Sequence, residues 1–300
     1  MTFAGHNAEA LVTSARVPPV FVTGATGRIG RAVVAQLLDA SVPVRALTRR
    51  PDAAGLPAAV DVVAGDLTVP ESLDAGLQGV GSVFLLWTAP PATAPAVIER
   101  LASHARRVVF LSSPHQTPHP FFQQPNPMAA LHAEIERRIQ NSGLQWTFLR
   151  PGMFAANALR WRAPTIRTGS AVRWPNAEAP TAPIHEGDIA AVAVRALCEN
   201  GHSGKDYVLT GPQLLSQLEQ VGIIGEAIGR PLRYEEISPE EARRELLPLM
   251  PLAVIDMLMN AWAAGSGWPA YITTSVADLT GTPARTFSDW VTDHAAEFRA

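Results

Sequence analysis

The sequence predicts an α/β protein: a doubly wound parallel sheet with a smaller, mostly helical C-terminal lobe. Three observations predict it. Short β-branched runs alternate with amphipathic stretches through the first half of the chain. A glycine-spaced turn joins the first such run to the first such stretch. After Gly152 the alternation fades and the last third reads as largely helical. Strands that alternate with helices make a parallel sheet covered on both faces.

The elements follow in order. "PPVFVTG" is a buried strand and "RIGRAVVAQLLDA" a helix with Ile29, Val33 and Leu37 on one face. "VPVRALTR" and "VDVVAGDL" are the second and third strands, "PESLDAGLQ" a short helix, and "GVGSVFLLW" the fourth strand. "APAVIERLASHA" is helical, "RRVVFLSS" the fifth strand, "PMAALHAEIERRIQNSG" a helix ended by Gly143, and "LQWTFLRPG" the sixth strand. "WRAPTIRTGSAVRWPNAEAPTAPIH", rich in Pro and Trp, reads as loop. "GDIAAVAVRALCEN" is an amphipathic helix with Asp188 as its expected N-cap, and "KDYVLTG" another strand. Ser238 and Glu241 have the capping-box spacing, with Pro239 at the first helical position. The expected organisation is a tail over residues 1–16, a nucleotide-binding body over 17–151 to which 184–211 returns, and a substrate lobe from 152–183 and 212–300.

Composition removes several function classes. Hydrophobic residues make up 47% of the 300 and charged residues 17%, enough for a substantial core. A net charge of -3 argues against a general affinity for nucleic acid or anionic membrane. The single cysteine, Cys198, allows neither an intrachain disulfide nor a cysteine zinc cage. The start has no basic-then-apolar leader, and no apolar run approaches a membrane span, so a cytoplasmic protein is expected.

"VTGATGRIG" carries Gly24, Gly27 and Gly30 between a strand and a helix. Glycines let the backbone approach a pyrophosphate, and the helix N-terminus beyond them presents free N–H groups. Thr26, Arg28 and Ile29 complete this candidate cofactor loop. An acidic residue at the end of the second strand would take a ribose 2′-hydroxyl, whereas arginine accommodates a 2′-phosphate. The strand ends in Thr48, Arg49 and Arg50, which favours NADP(H) over NAD(H), with Arg28 as a further charge near the same phosphate. Asp66 and Leu67 end the third strand, where Asp66 either meets an adenine edge or caps the following helix.

Together with "VVFLSS", "SGLQWTFLRPGMFAAN", "GDIAAVAVRAL", "YVLTGP" and "LTGTPARTFSDWVTDHA", these stretches resemble the NmrA-like branch of the atypical short-chain dehydrogenase/reductase superfamily, from about Val17 to near Phe298. The resemblance implies a Rossmann body, a nicotinamide dinucleotide and a C-terminal lobe that closes the substrate pocket. It covers reductases as well as redox sensors with little catalysis. Better-known members of the superfamily use Tyr-x-x-x-Lys. This chain cannot: its tyrosines are Tyr207, Tyr234 and Tyr271, and the only lysine, Lys205, precedes the first of them.

Aligned from Ser142-Gly143, Met128 falls where the family tyrosine would be and His132 where the lysine would be. Met128, His132, Ile135 and Ile139 share a helical face, while Glu134 and Glu136 point elsewhere. His132 then either replaces the lysine as a hydrogen-bond donor, gives a proton near neutral pH, or is a satisfied core histidine. Ser112 and Ser113 end the fifth strand, and by family position Ser113 is the better partner for a substrate oxygen. Pro151, Gly152 and Phe154 are expected to border the nicotinamide, and Trp87, Thr88 and Pro90 the ribose. The candidates for a substrate pocket are Met128, Phe154, Asn157, Trp161, Trp174 and His185, although core packing is the ordinary use of such tryptophans.

No metal site is expected. "HAE" matches half of a zinc deaminase signature whose cysteine half is absent, and His115 and His119, at i,i+4, lie among prolines. The expected function is NADPH-dependent reduction of a carbonyl, quinone or conjugated double bond in a small, largely apolar molecule, by a monomer or homodimer. The alternatives are a cofactor-binding sensor and a non-redox isomerase or cyclase.

Overall fold

The computed structural model describes residues 17–299, so the expected tail over 1–16 lies outside the described residues. Its first half runs β1 (Val20–Val22), α1 (Arg28–Asp39), β2 (Val44–Thr48), β3 (Asp61–Ala64), α2 (Asp74–Leu77), β4 (Ser82–Leu86), α3 (Ala94–His104), β5 (Arg107–Leu111), α4 (Pro127–Gln140) and β6 (Gln145–Pro151). Then come α5 (Asn157–Trp161), α6 (Ala163–Thr168), β7 (Ala171–Trp174), α7 (Glu186–Cys198) and β8 (Lys205–Leu209). The chain continues through α8 (Gln217–Ile228), β9 (Arg233–Glu236), α9 (Pro239–Leu246), α10 (Leu252–Gly265), α11 (Ser275–Thr280), α12 (Phe287–Asp293) and α13 (Ala295–Arg299).

The main sheet has seven strands in the order β3-β2-β1-β4-β5-β6-β8, and every pairing is parallel. Helices cover both faces. On one, Val33, Val34 and Leu37 of α1 meet Ile189, Val192 and Ala193 of α7 over the sheet. On the other, Val97 and Leu101 of α3 and Ile135 and Ile139 of α4 pack on Phe21, Phe110 and Phe148. This two-sided burial is why the strands read as continuous apolar runs. Strand order reverses between β1 and β4, and ligands of such sheets bind at that crevice, beyond the carboxyl ends of the strands. Thr23 pins the crevice: its hydroxyl donates to Leu86 O at 2.9 Å and accepts from Leu86 N at 2.8 Å.

The structure differs from the sequence expectation in two places. The stretch expected as loop, which begins at the last residue of α5, contains α6 and β7, and β7 pairs in parallel with β9 as a second, two-stranded sheet. Its apolar residues alternate too briefly to show a period, and they become ordered by packing on α8, α12 and α13. Asp188 is not the N-cap of α7. His185 is, its Nδ1 accepting from Gly187 N at 2.9 Å. Asp188 is buried inside the first turn, where it accepts from Arg285 N at 2.8 Å and pairs with the Arg285 guanidinium. The capping box at Ser238 and Glu241 forms as expected, and α8 and α12 carry boxes of the same kind.

Candidate active site

The glycine loop leaves β1 with Gly24 in the left-handed region at φ +64°. Gly27 N donates back to Gly24 O at 3.0 Å, closing a tight turn. A Cβ on Gly30 would lie 2.1 Å from Gly24 O, so α1 starts directly against the loop backbone. No side chain caps α1, and its first turn holds no acidic residue. The N–H groups of that turn therefore remain for an anion, and the loop fits the pyrophosphate of a dinucleotide. Beside it, Arg28, Ile29, Leu86, Phe154, Ala156 and Glu186 enclose a cavity of ≈ 180 Å³.

The arginines divide their tasks. Arg49 and Arg50 are exposed, and neither has an ion pair among the described residues. Arg28 does not join them. It forms a two-pronged pair with Glu297 of α13, Nη1 to Oε1 at 3.0 Å. Arg31, which sequence reasoning passed over, staples the loop instead. It donates to Thr26 O at 3.0 Å, Gly55 O at 2.6 Å and Ala54 O at 2.8 Å, tying the glycine loop to the segment that follows Arg49 and Arg50. Asp66 is used locally, its Oδ1 accepting from Thr68 N at 2.8 Å, and Leu67 is buried. Trp87, expected at the ribose, turns its indole into the core and donates to Ala89 O at 2.6 Å. Thr88 and Pro90 are exposed at the same strand end.

A second cavity, of ≈ 290 Å³, opens beyond the ends of β5 and β6. Ser112, Ser113, Pro151, Gly152, Phe154 and Asn157 line it from the sheet side, and Met128, Ala129 and His132 from α4. Phe121 and Phe122 come from the preceding loop, and Met257, Leu258 and Ala261 of α10 close it from the lobe. Phe154 lines both cavities and so stands between the loop and the pocket. The walls are apolar, yet four buried side-chain atoms around them have no hydrogen-bond partner among the described residues: Ser112 Oγ, Ser113 Oγ, His115 Nε2 and His132 Nδ1. Native interiors rarely leave such atoms unpaired, and four of them around one cavity make it a candidate to receive a polar ligand atom.

The profile of an NAD(P)H-binding family matches residues 24–200. The chain belongs to this NAD(P)H-binding family. It is 37% identical to a (4-alkanoyl-5-oxo-2,5-dihydrofuran-3-yl)methyl phosphate reductase of Streptomyces griseus, over 93% of this chain and 99% of that one. It is 36% identical to an NAD(P)H azoreductase of Xenophilus azovorans, over 94% and 99%. Among solved structures, the NADPH-dependent quinone oxidoreductase of Escherichia coli superposes with a TM-score of 0.76 at 25% identity, covering 92% of this chain and 99% of that chain. The chain is an NAD(P)H-dependent oxidoreductase. Among the described residues no helix is long and apolar enough to cross a membrane, and no cluster of ligands that could hold a metal is found.

Not every residue expected in this family member's pocket lies there. Trp161 and Trp174 stack on each other at 5.7 Å and meet Trp262 edge-on, as the core of the lobe. His185 is spent on capping α7, with Nε2 3.3 Å from Asp293. Asn157 does line the cavity and donates to Met153 Sδ at 3.1 Å. His132 packs edge-on against Phe110 with ring centroids 5.6 Å apart. Burial, aided by His115 and opposed by Glu136, lowers its pKa to about 4. At neutral pH it offers a neutral imidazole, not an acid.

The structure adds a group that the helical wheel set aside. Glu134 is a surface residue paired with Arg137 and Arg138 at 2.8 and 2.6 Å. Glu136, by contrast, is buried and grips Arg150 of β6 through two bonds of 3.0 and 2.7 Å. Arg150 also reaches Asp206 of β8 at 2.9 Å. On its other side Glu136 Oε2 lies 3.6 Å from His115 Nε2, while His115 Nδ1 lies 3.0 Å from Ser113 O.

Proposed function

We propose that this oxidoreductase is an NADPH-dependent reductase of a carbonyl, quinone or conjugated double bond in a small, uncharged, largely apolar molecule. The observation that carries the reading is the second cavity: apolar walls with the Ser112, Ser113 and His132 polar atoms unpaired at the strand ends. When bound, the nicotinamide supplies a hydride. Phe154, at the boundary of the two cavities, separates cofactor loop from acceptor and sets the face presented. The Ser113 hydroxyl donates to the acceptor oxygen, and neutral His132 holds the same oxygen from α4. Helix α10 excludes water from above.

The acceptor is read as uncharged because no arginine or lysine lines the cavity. The Streptomyces relative's name places a phosphate on its substrate; no arginine or lysine lines this pocket to receive one. The test is acceptor-dependent oxidation of NADPH across neutral quinones and conjugated carbonyls. Turnover with several of them is expected. A protein that binds NADPH and transfers hydride to none of them sinks the reading.

The cofactor preference rests on Arg49 and Arg50. Hydrogen bonds to charged groups contribute about 1.5–3 kcal/mol each, so replacing both with Gln is expected to weaken NADPH by roughly 100-fold or more. NADH affinity should change by less than about threefold. Fluorescence titration with the two cofactors measures this, and equal losses overturn the preference for NADPH.

A further inference from the structure

Reduction of a C=O or conjugated C=C consumes a proton as well as a hydride, and the groups described so far do not supply it. Among the side chains lining the cavity the two imidazoles, His115 and His132, are the groups whose N–H can be given to a substrate and regained. Burial keeps His132 neutral, with a pKa of about 4. We propose that His115, aligned by Glu136, is the proton donor of this site, an assignment that rests on the reductase reading above.

The geometry assigns the hydrogens. His115 Nδ1 lies 3.0 Å from the Ser113 carbonyl, which only accepts, so Nδ1 carries a hydrogen. Nε2 faces the Glu136 carboxylate, another acceptor, at 3.6 Å. An acceptor at each ring nitrogen is the surrounding that suits an imidazolium, with an N–H on both. The Nε2 contact is too long for a hydrogen bond, so this N–H is not committed to Glu136 and is free to serve a substrate oxygen in the cavity it lines. The charged and titratable groups around it are Glu136 and His132 on α4 and, behind Glu136, Arg150 on β6 and Asp206 on β8. Arg150 takes both oxygens of Glu136, which fixes the carboxylate in place and moderates its hold on His115.

The step balances. Hydride adds to the acceptor carbon and the π pair moves to oxygen. The His115 Nε2–H bond breaks with its electrons left on nitrogen, an O–H bond forms, and neutral His115 regains a proton from water. NADPH is oxidised and the acceptor is reduced by two electrons and two hydrogens.

Two variants test it, His115→Gln and His115→Ala, with wild type beside them and a neutral quinone or enone as acceptor. General acids contribute 10²–10⁴-fold, so kcat is expected to fall by about 100-fold in both. Acceptor KM, NADPH affinity by fluorescence and the melting temperature should stay near wild type. Added imidazole should restore part of the rate to His115→Ala alone, and the solvent deuterium isotope effect of wild type should change in the variants. A purely structural histidine predicts neither the rescue nor the isotope response. If wild type turns over and His115→Gln keeps kcat within threefold, the assignment falls and the reductase reading stands. If wild type reduces no acceptor at all, the reading falls and takes the assignment with it.

Discussion

Gly30→Ala is expected to remove detectable NAD(P)H binding and to lower the stability of the protein. The added Cβ would sit 2.1 Å from Gly24 O, 2.7 Å from Gly24 C and 2.8 Å from Ala25 Cα. All three are backbone atoms, so no side-chain rotation relieves the clash. Either the loop or the start of α1 must move, and both shape the anion site. Overpacking of this kind costs about 1–3 kcal/mol in stability. The displaced N–H groups would each lose a charge-assisted bond to the pyrophosphate, together at least about 100-fold in affinity. Gly27→Ala is the control, since its Cβ would meet a single atom, Gly24 O, at 3.3 Å. Titration with NADPH and a thermal melt measure both variants. Near-normal affinity in Gly30→Ala would show that the loop does not cradle the cofactor in this conformation.

Arg150→Met is expected to cost about 3–5 kcal/mol in denaturant unfolding, the range for removing one partner of a buried ion pair. The side chains of Arg150 and Glu136 are only 5% and 4% exposed. Most of the loss comes from leaving the Glu136 carboxylate buried without its counter-charge, and little from the bonds themselves. The double variant Arg150→Met, Glu136→Leu should therefore recover a large part of the stability lost. Asp206 is 45% exposed and tolerates the change, because water replaces the guanidinium there. A loss below about 1 kcal/mol in the single variant would mean that the carboxylate finds another partner or a proton.

How much of this was legible depends on the range of the determining contact. The glycine loop, the arginines after β2, the serines ending β5 and the inward face of α4 are local patterns. A strand, a turn and a helical stripe each show their period within a dozen residues. Glu136 was not legible in this way. It lies off the apolar stripe of α4, and it is buried because β6 carries Arg150 beneath that helix. His115 shows in the sequence only as half of a metal spacing; the fold brings it to Glu136 across a loop. Trp161 and Trp174 were ambiguous for another reason. Tryptophan suits a ligand pocket and a core equally well, and Trp262, from α10, decides for the core. Asp188 has the composition of a cap but is claimed by Arg285, so the preceding histidine caps the helix instead. Arg28 likewise sits where a phosphate contact was expected, and Glu297 takes it.

The four unpaired atoms of the pocket also bear on what the enzyme refuses. A hydrocarbon of the right shape would fill the apolar walls yet strand Ser112 Oγ, Ser113 Oγ, His115 Nε2 and His132 Nδ1 away from water. Each stranded group costs about 1–3 kcal/mol, as much as one misplaced methylene, so several stranded together outweigh it. On the proposed reductase reading, selectivity in this pocket is therefore exercised against molecules that lack an oxygen at the strand ends, while variation in the apolar remainder of the molecule is tolerated.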